Sequence, residues 1–176
     1  AHHLHLSDEV LCQFNPQCHI RPPLRSAADR EGLRLALRDG ILGAICSDHQ
    51  PHEADAKLVP LTLTEPGMST LETLLPLALD LVHEKLLTMS AMIQRLTTQP
   101  AQITGIEGGS LGLGKNADIC LFDPEKTWTV TPQTLYSQGK NTLWNDVTLY
   151  GQVHRTLLAG RTVYNANNTQ INEQPI

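Results

Sequence analysis

The densest run of reactive side chains in this 176-residue chain is Ser47-Asp48-His49-Gln50-Pro51-His52. It directly follows Ile41-Leu42-Gly43-Ala44-Ile45-Cys46, a short unalternating apolar run. Such a run is the mark of a parallel strand covered on both faces. In parallel α/β folds, ligands bind at the carboxyl ends of the strands. Asp48 is the first ionisable residue past the run, a position suited to ligating a metal or taking a proton from bound water. His52 lies four residues on, beyond Pro51, which stiffens the turn. The competing reading makes Asp48 a cap for the next segment and puts His49 and His52 on the surface; spacing alone leaves both open.

A second cluster, His2, His3 and His5, sits where a strand would end. Neutral imidazole is a common zinc ligand. In a strand, His3 and His5 would share one face and His2 the other. The spacing does not choose which would ligate. Arg21 and Arg25 flank Pro22-Pro23-Leu24, a stiff fork suited to a carboxylate-bearing ligand, or simply a loop with two arginines facing water. His19, His83 and His154 show no partner pattern and read as structural. Cys12, Cys18, Cys46 and Cys120 form no C-x-x-C pair, which argues against a zinc module and a disulfide framework. They read as reduced core residues, Cys46 most clearly, in a cytoplasmic protein.

These groups need elements to position them. Residues 1–6 read as a strand end, and Ser7-Asp8-Glu9 as the start of a short helical turn. Residues 11–25, with three prolines, read as a loop. Ser26 and Asp29 predict a capping box for a helix to about Asp39, with Gly40 as its left-handed terminator. Residues 53–68 read as a polar loop. A helix is expected over about 69–84, with Pro76 kinking or breaking it. Ser90 is expected to cap another helix to about Thr98, and Pro100 to start a short one ending near Gly105. Beyond Gly105 the pattern turns to strands over 117–122, 127–131 and 151–158. The last pairs with 161–164 across Ala159-Gly160. Residues 1–105 thus read as α/β and 106–176 as mostly β.

Composition narrows the class. Hydrophobic residues are 40% and charged residues 18%, enough to form a core, and aromatic residues are only 4%. The net charge of −5 and the lack of a basic stripe argue against nucleic-acid binding. No apolar stretch of about 18 residues is present to span a membrane. The abrupt start at Ala1-His2-His3, without Met, is expected to fall inside a longer fold.

In order along the chain come Arg21-Pro22-Pro23-Leu24-Arg25-Ser26, Asp29-Arg30-Glu31, Asp39-Gly40, Ser47–His52, Glu65-Pro66-Gly67 and Leu71-Glu72-Thr73-Leu74-Leu75-Pro76-Leu77. Together they resemble the C-terminal half of a dihydroorotase of the amidohydrolase superfamily. His2-His3-Leu4 resembles that family's Pro-His-His-Leu, with Ala1 replacing Pro. Gly112–Asp118 and the 151–163 hairpin resemble the superfamily's small β-domain. The resemblance implies an α/β fold: the C-terminal part of a (β/α)₈ TIM barrel of the metal-dependent hydrolase type (1–105), then part of a small β-sandwich (106–176). It implies Zn²⁺ and interconversion of N-carbamoyl-L-aspartate and L-dihydroorotate in pyrimidine synthesis.

By position, His3 matches a zinc ligand. Asp48 matches a metal ligand that is also general base and acid on the bridging hydroxide. His52 matches a contact to the substrate carboxylate, and Arg21 a substrate-binding position where many relatives have Asn. Pro66-Gly67 matches a segment that hydrogen-bonds the pyrimidine ring. The family's first-strand His-x-His, bridging carboxylate and fifth-strand histidine have no counterpart here. The irregular segment Phe14–Ile20 looks most like a proteobacterial branch that includes non-catalytic subunits partnering aspartate carbamoyltransferase. A homo-oligomer is also expected. A hydantoinase or allantoinase is the remaining alternative, less suited to Arg21 and His52.

Overall fold

The computed structural model describes residues 1–167. Four helices precede three strands: α1 (Ala27–Arg38), α2 (Leu74–His83), α3 (Met89–Leu96), α4 (Thr98–Thr104), β1 (Ile119–Thr129), β2 (Thr148–Leu158) and β3 (Arg161–Asn165). Short 3₁₀ turns fill much of the segments before α1 and α2.

The α1 capping box forms as the sequence predicts. Ser26 Oγ accepts from the Asp29 amide, and the Asp29 carboxylate accepts from the Ser26 amide, both at 3.2 Å. Gly40 takes φ +80° just past the helix. The last turn is closed from outside. Buried Arg95 donates to the Leu37 carbonyl through Nε (3.0 Å) and Nη2 (2.6 Å), satisfying an end-of-helix acceptor.

In α2 the expected kink is absent because the helix begins at Leu74, not near Ser69. Pro76 is then its third residue, in the first turn, where a missing amide costs no bond. Leu77, Ala78, Leu79 and Leu81 are fully buried. Thr88, not Ser90, caps α3, its Oγ1 accepting from the Ala91 amide at 3.2 Å. Pro100 likewise lies in the first turn of α4, which Gly105 ends at φ +72°.

Two expected elements are corrected. Residues 1–6 are not a strand end: His2–Leu4 is a 3₁₀ turn, held because α1 donates to it, Arg34 Nη1 to the Leu4 carbonyl (3.1 Å) and Arg30 Nη1 to the His5 carbonyl (3.2 Å). Residues 41–46 are not a strand: 41–42 bend back on α1 and 43–46 form no ladder. Ile45 is buried, whereas Ile41 is 78% exposed and Cys46 is exposed, so Cys46 is not a core residue; Cys18 is the buried cysteine. A strand exists through its neighbours. Here the first two residues fold back on α1, the Ile41 and Leu42 amides donating to the Ala36 carbonyl (2.9 and 3.1 Å), and the rest has isolated ties, Ile45 amide to Arg95 carbonyl (3.1 Å) and the Ala1 nitrogen to the Cys46 carbonyl, with a lone parallel bridge further on between His49 and Met68.

The sheet is antiparallel with order β1-β2-β3. The runs expected at 117–122 and 127–131 merge into one strand. Asp123 pairs with Gln152 and Thr127 with Tyr150, so Pro124-Glu125-Lys126 bulge out of register, where proline costs no ladder bond. Ala159 (φ 48°) and Gly160 (φ 80°) make the tight β2–β3 turn.

The helix α2 lies on β2. At Gly151 (φ +95°) a Cβ would sit 2.2 Å from Leu79 Cδ1, so only glycine allows this approach. One core gathers Leu4, Leu37, Ile45, Leu79, Leu81 and Met92. A second gathers Ile20, Leu24, Met68, Leu77, Val130 and Trp144, joining the helical region to the chain around the sheet. No helix among the described residues is long and apolar enough to cross a membrane. The final part of the 106–176 region, residues 168–176, lies outside the described residues.

Candidate functional site

His2, His3 and Asp48 come together, although neither flanking segment is a ladder strand. His2 is 1% exposed, and its Nε2 is 3.9 Å from Asp48 Oδ2. The His2 and His3 ring centroids are 4.7 Å apart. Both ring nitrogens of His2, and Nε2 of His3, are buried with no hydrogen-bond partner. Burial is the main cause that pushes the His2 imidazole down to about 3, with His3 adding to it. His3 is lowered too, chiefly by burial, against opposing pulls from Asp48 and the Pro22 backbone. The His2–Asp48 contact is too long for a hydrogen bond, and a neutral imidazole makes no ion pair. The result is neutral imidazoles beside a carboxylate, with both nitrogens of His2 and Nε2 of His3 unsatisfied. Unpartnered buried polar atoms are costly, and a metal ion is one partner that would satisfy them.

Asp48 itself has φ 50°, in the left-handed region. Strain at a non-glycine residue clusters at functional sites. Gln50 Nε2 donates to Asp48 Oδ1 at 3.4 Å. His5, by contrast, is tied off: its Nε2 donates to the Leu77 carbonyl at 2.9 Å, and burial lowers its pKa to about 4.

His52, Pro66 and Gly67 form the adjoining wall. His52 Nε2 donates to the Pro66 carbonyl at 3.1 Å. Gly67 (φ +142°) is pressed so close that a Cβ would meet Gln50 Cβ at 2.6 Å and His52 Nε2 at 2.9 Å. The Gly67 amide donates to the His19 carbonyl (2.8 Å), which brings the chain at Arg21 alongside. Arg21 is exposed, and no hydrogen bond or ion pair holds its guanidinium among the described residues. Arg25 pairs with Asp29 at 3.7 Å instead of forming a fork with Arg21.

Sequence reasoning missed two organising residues. His49 Nδ1 accepts from the Thr70 and Leu71 amides (3.0 and 3.1 Å), so its proton is on Nε2, facing Ser137 Oγ at 3.4 Å. Asn141, 4% exposed, reaches this loop from far along the chain. Neither has a local signal, because their partners are 21 to 91 residues away. His19 and Thr64 share a 2.8 Å hydrogen bond, in keeping with a structural role. A cavity of about 390 Å³ lies elsewhere, between the start of α2 and the sheet, lined by Glu72, Pro76, Trp128 and Tyr164; it adjoins none of the donors above.

Among the described residues, no group of three or more His, Cys, Asp or Glu side chains is placed to hold a metal ion by itself. His2, His3 and Asp48 thus share one neighbourhood, with Asp48 just past the apolar run 41–46.

The family model described as "Amidohydrolase family" matches residues 2–163. A dihydroorotase-like protein of Pseudomonas aeruginosa is 45% identical over 159 residues, covering 90% of this chain and 37% of that protein. A dihydroorotase of Syntrophus aciditrophicus is 44% identical over 163 residues, 93% of this chain and 38% of that protein. Among solved structures, the L-hydantoinase of Arthrobacter aurescens superposes with a TM-score of 0.85 at 24% identity, over 93% of this chain and 38% of that one. The chain belongs to the amidohydrolase family. Its fold is that of the corresponding part of the TIM-barrel hydantoinases. It spans less than two fifths of the length of the relatives it matches.

Proposed function

We propose that the chain is the C-terminal part of a dihydroorotase that interconverts N-carbamoyl-L-aspartate and L-dihydroorotate. In this reading, residues 1–105 complete a (β/α)₈ barrel and 106–176 contribute to a small β-sandwich. The observation that carries it is buried His2, with neither ring nitrogen partnered, and half-buried His3, with Nε2 unpartnered, gathered beside Asp48. The dihydroorotase and dihydroorotase-like names of the relatives point the same way.

His3 and Asp48, with His2 beside them, would hold Zn²⁺, and the remaining ligands would come from outside this chain. Zinc, when bound, lowers the pKa of water to about 7 and polarises a carbonyl. Asp48, its carboxylate contacted by Gln50, would take and return the proton as general base and acid. Exposed Arg21 is free to pair with a substrate carboxylate, and His52 to contact it by exchanging its Pro66 bond. The Gly67 amide is committed to the His19 carbonyl, so the Pro66-Gly67 backbone would meet the ring through its carbonyls, each keeping one lone pair beside its His52 or Asn141 bond. A carboxylate-bearing ring suits these groups better than a plain hydantoin or allantoin does.

A second reading follows from the dihydroorotase-like relative. The full-length protein would then be a non-catalytic subunit supporting aspartate carbamoyltransferase. Dihydroorotate hydrolysis and zinc content of the full-length protein separate the two. About one or more zinc per chain, with turnover of dihydroorotate well above that of dihydrouracil, is the expected result. Absence of both zinc and turnover would remove the enzyme reading and leave the subunit.

A further inference from the structure

We infer that Asn141 is a positioning residue that locks the His52 loop to the Pro66-Gly67 segment, so that the region around the sheet sets the geometry of substrate binding in the site proposed above. Asn141 is 4% exposed and uses its whole amide. Its Oδ1 accepts from the His52 amide at 2.8 Å, and its Nδ2 donates to the Gln50 and Gly67 carbonyls, each at 3.1 Å. Its own carbonyl accepts from the Ser69 amide at 2.8 Å. One side chain thus bridges two loops that otherwise meet through the Gln50 amide on the Met68 carbonyl and the His52 ring on Pro66.

The neighbouring backbone shows the same fit. Gly139 packs so tightly that a Cβ would lie 2.5 Å from the His52 amide nitrogen and 2.6 Å from Pro51 Cβ. Since the backbone there cannot withdraw without breaking the Asn141 bonds, the strap 139–141 and the 50–52 turn are complementary surfaces. Only an amide satisfies this position. A carboxylate would keep the His52 bond and set an acceptor against two carbonyls. Asn141 touches neither His2, His3 nor Asp48, so the inference concerns binding geometry and not the metal donors.

The test uses the full-length protein with Asn141→Asp and Asn141→Ala, and Gly139→Ala as an independent variant. Two readouts are taken: dihydroorotate kinetics, and hydrogen exchange of the His52 amide compared with α3. A rise in KM of about tenfold or more is expected, the size of losing one to two buried hydrogen bonds. The accompanying change in kcat should stay under about threefold, with zinc content unchanged and His52 exchange faster while α3 is unaltered. A variant that merely unfolds would speed exchange in α3 as well and would overturn the inference, as would an unchanged KM or a kcat loss without a KM rise. If the wild-type protein turns over no dihydroorotate, the proposed reaction fails separately. Exchange at His52 then decides the coupling alone, and an unchanged rate would overturn it.

Discussion

The helical region and the sheet region handle the same problem, pairing of extended chain, in opposite ways. In β1–β3 each strand finds its partner next in sequence, across a two-residue turn or a single connection, and long ladders form. The apolar run 41–46 has no strand beside it among the described residues; its first two amides close the end of α1 and the rest of its backbone makes isolated bonds. Antiparallel pairs are closed by local turns, whereas parallel strands need crossover neighbours that are remote in sequence. The site nevertheless lies beside the unpaired run. Its residues are held by side chains and turns: Asp48 by its turn, the 2–5 turn by α1, the 66–69 segment by Asn141.

Asp48→Asn in the full-length protein should lower dihydroorotate turnover by about 10²–10⁴-fold, the range for a lost general base, with the circular dichroism of the folded protein retained. Near-normal turnover in a steady-state assay would show that the turn positions nothing catalytic. Gly151→Val should separate the two regions. Its side chain would overlap Leu79 and force a residue into φ +95°, at a cost of about 3 kcal/mol in urea unfolding. An effect under 1 kcal/mol, by the same kind of order-of-magnitude reasoning, would mean that α2 does not rest on β2 as described.

The third prediction concerns pH and the helical region alone. His2 and His5 are neutral in the fold, with pKa values lowered to about 3 and about 4. The unfolded chain protonates them near 6.5. Their contribution is therefore complete above pH 6.5 and is lost as pH falls toward those values. Each histidine contributes a slope of up to about 1.4 kcal/mol per pH unit in that window. Denaturation midpoints measured from pH 7.5 to 4.5 should fall accordingly, and His5→Gln should flatten the curve; a flat wild-type profile would contradict the burial. Smallest is Ser26→Ala, which removes the α1 capping box at about 1 kcal/mol, measurable by thermal melts.

What the sequence made legible follows the same division. The α1 box, Gly40, Gly105 and the Ala159-Gly160 hairpin were readable because each signal and its partner lie within a few residues. Pro76 misled because its effect depends on where the helix starts, which burial of Leu77–Leu81 decides. The histidine cluster and Asp48 were readable as residue types. Their meeting was not, since a 3₁₀ turn replaced the expected strand and turned His2 inward. Asn141 and His49 were illegible as clamps because hydrogen bonds across tens of residues leave no periodic trace.

The account rests on His3 and Asp48 as metal donors, and zinc content is the most direct measure of it. Native mass spectrometry of the full-length wild-type protein, His3→Ala and Asp48→Asn should show zinc in the wild type and a clear loss of it in both folded variants. Full zinc occupancy in His3→Ala and Asp48→Asn would contradict the account.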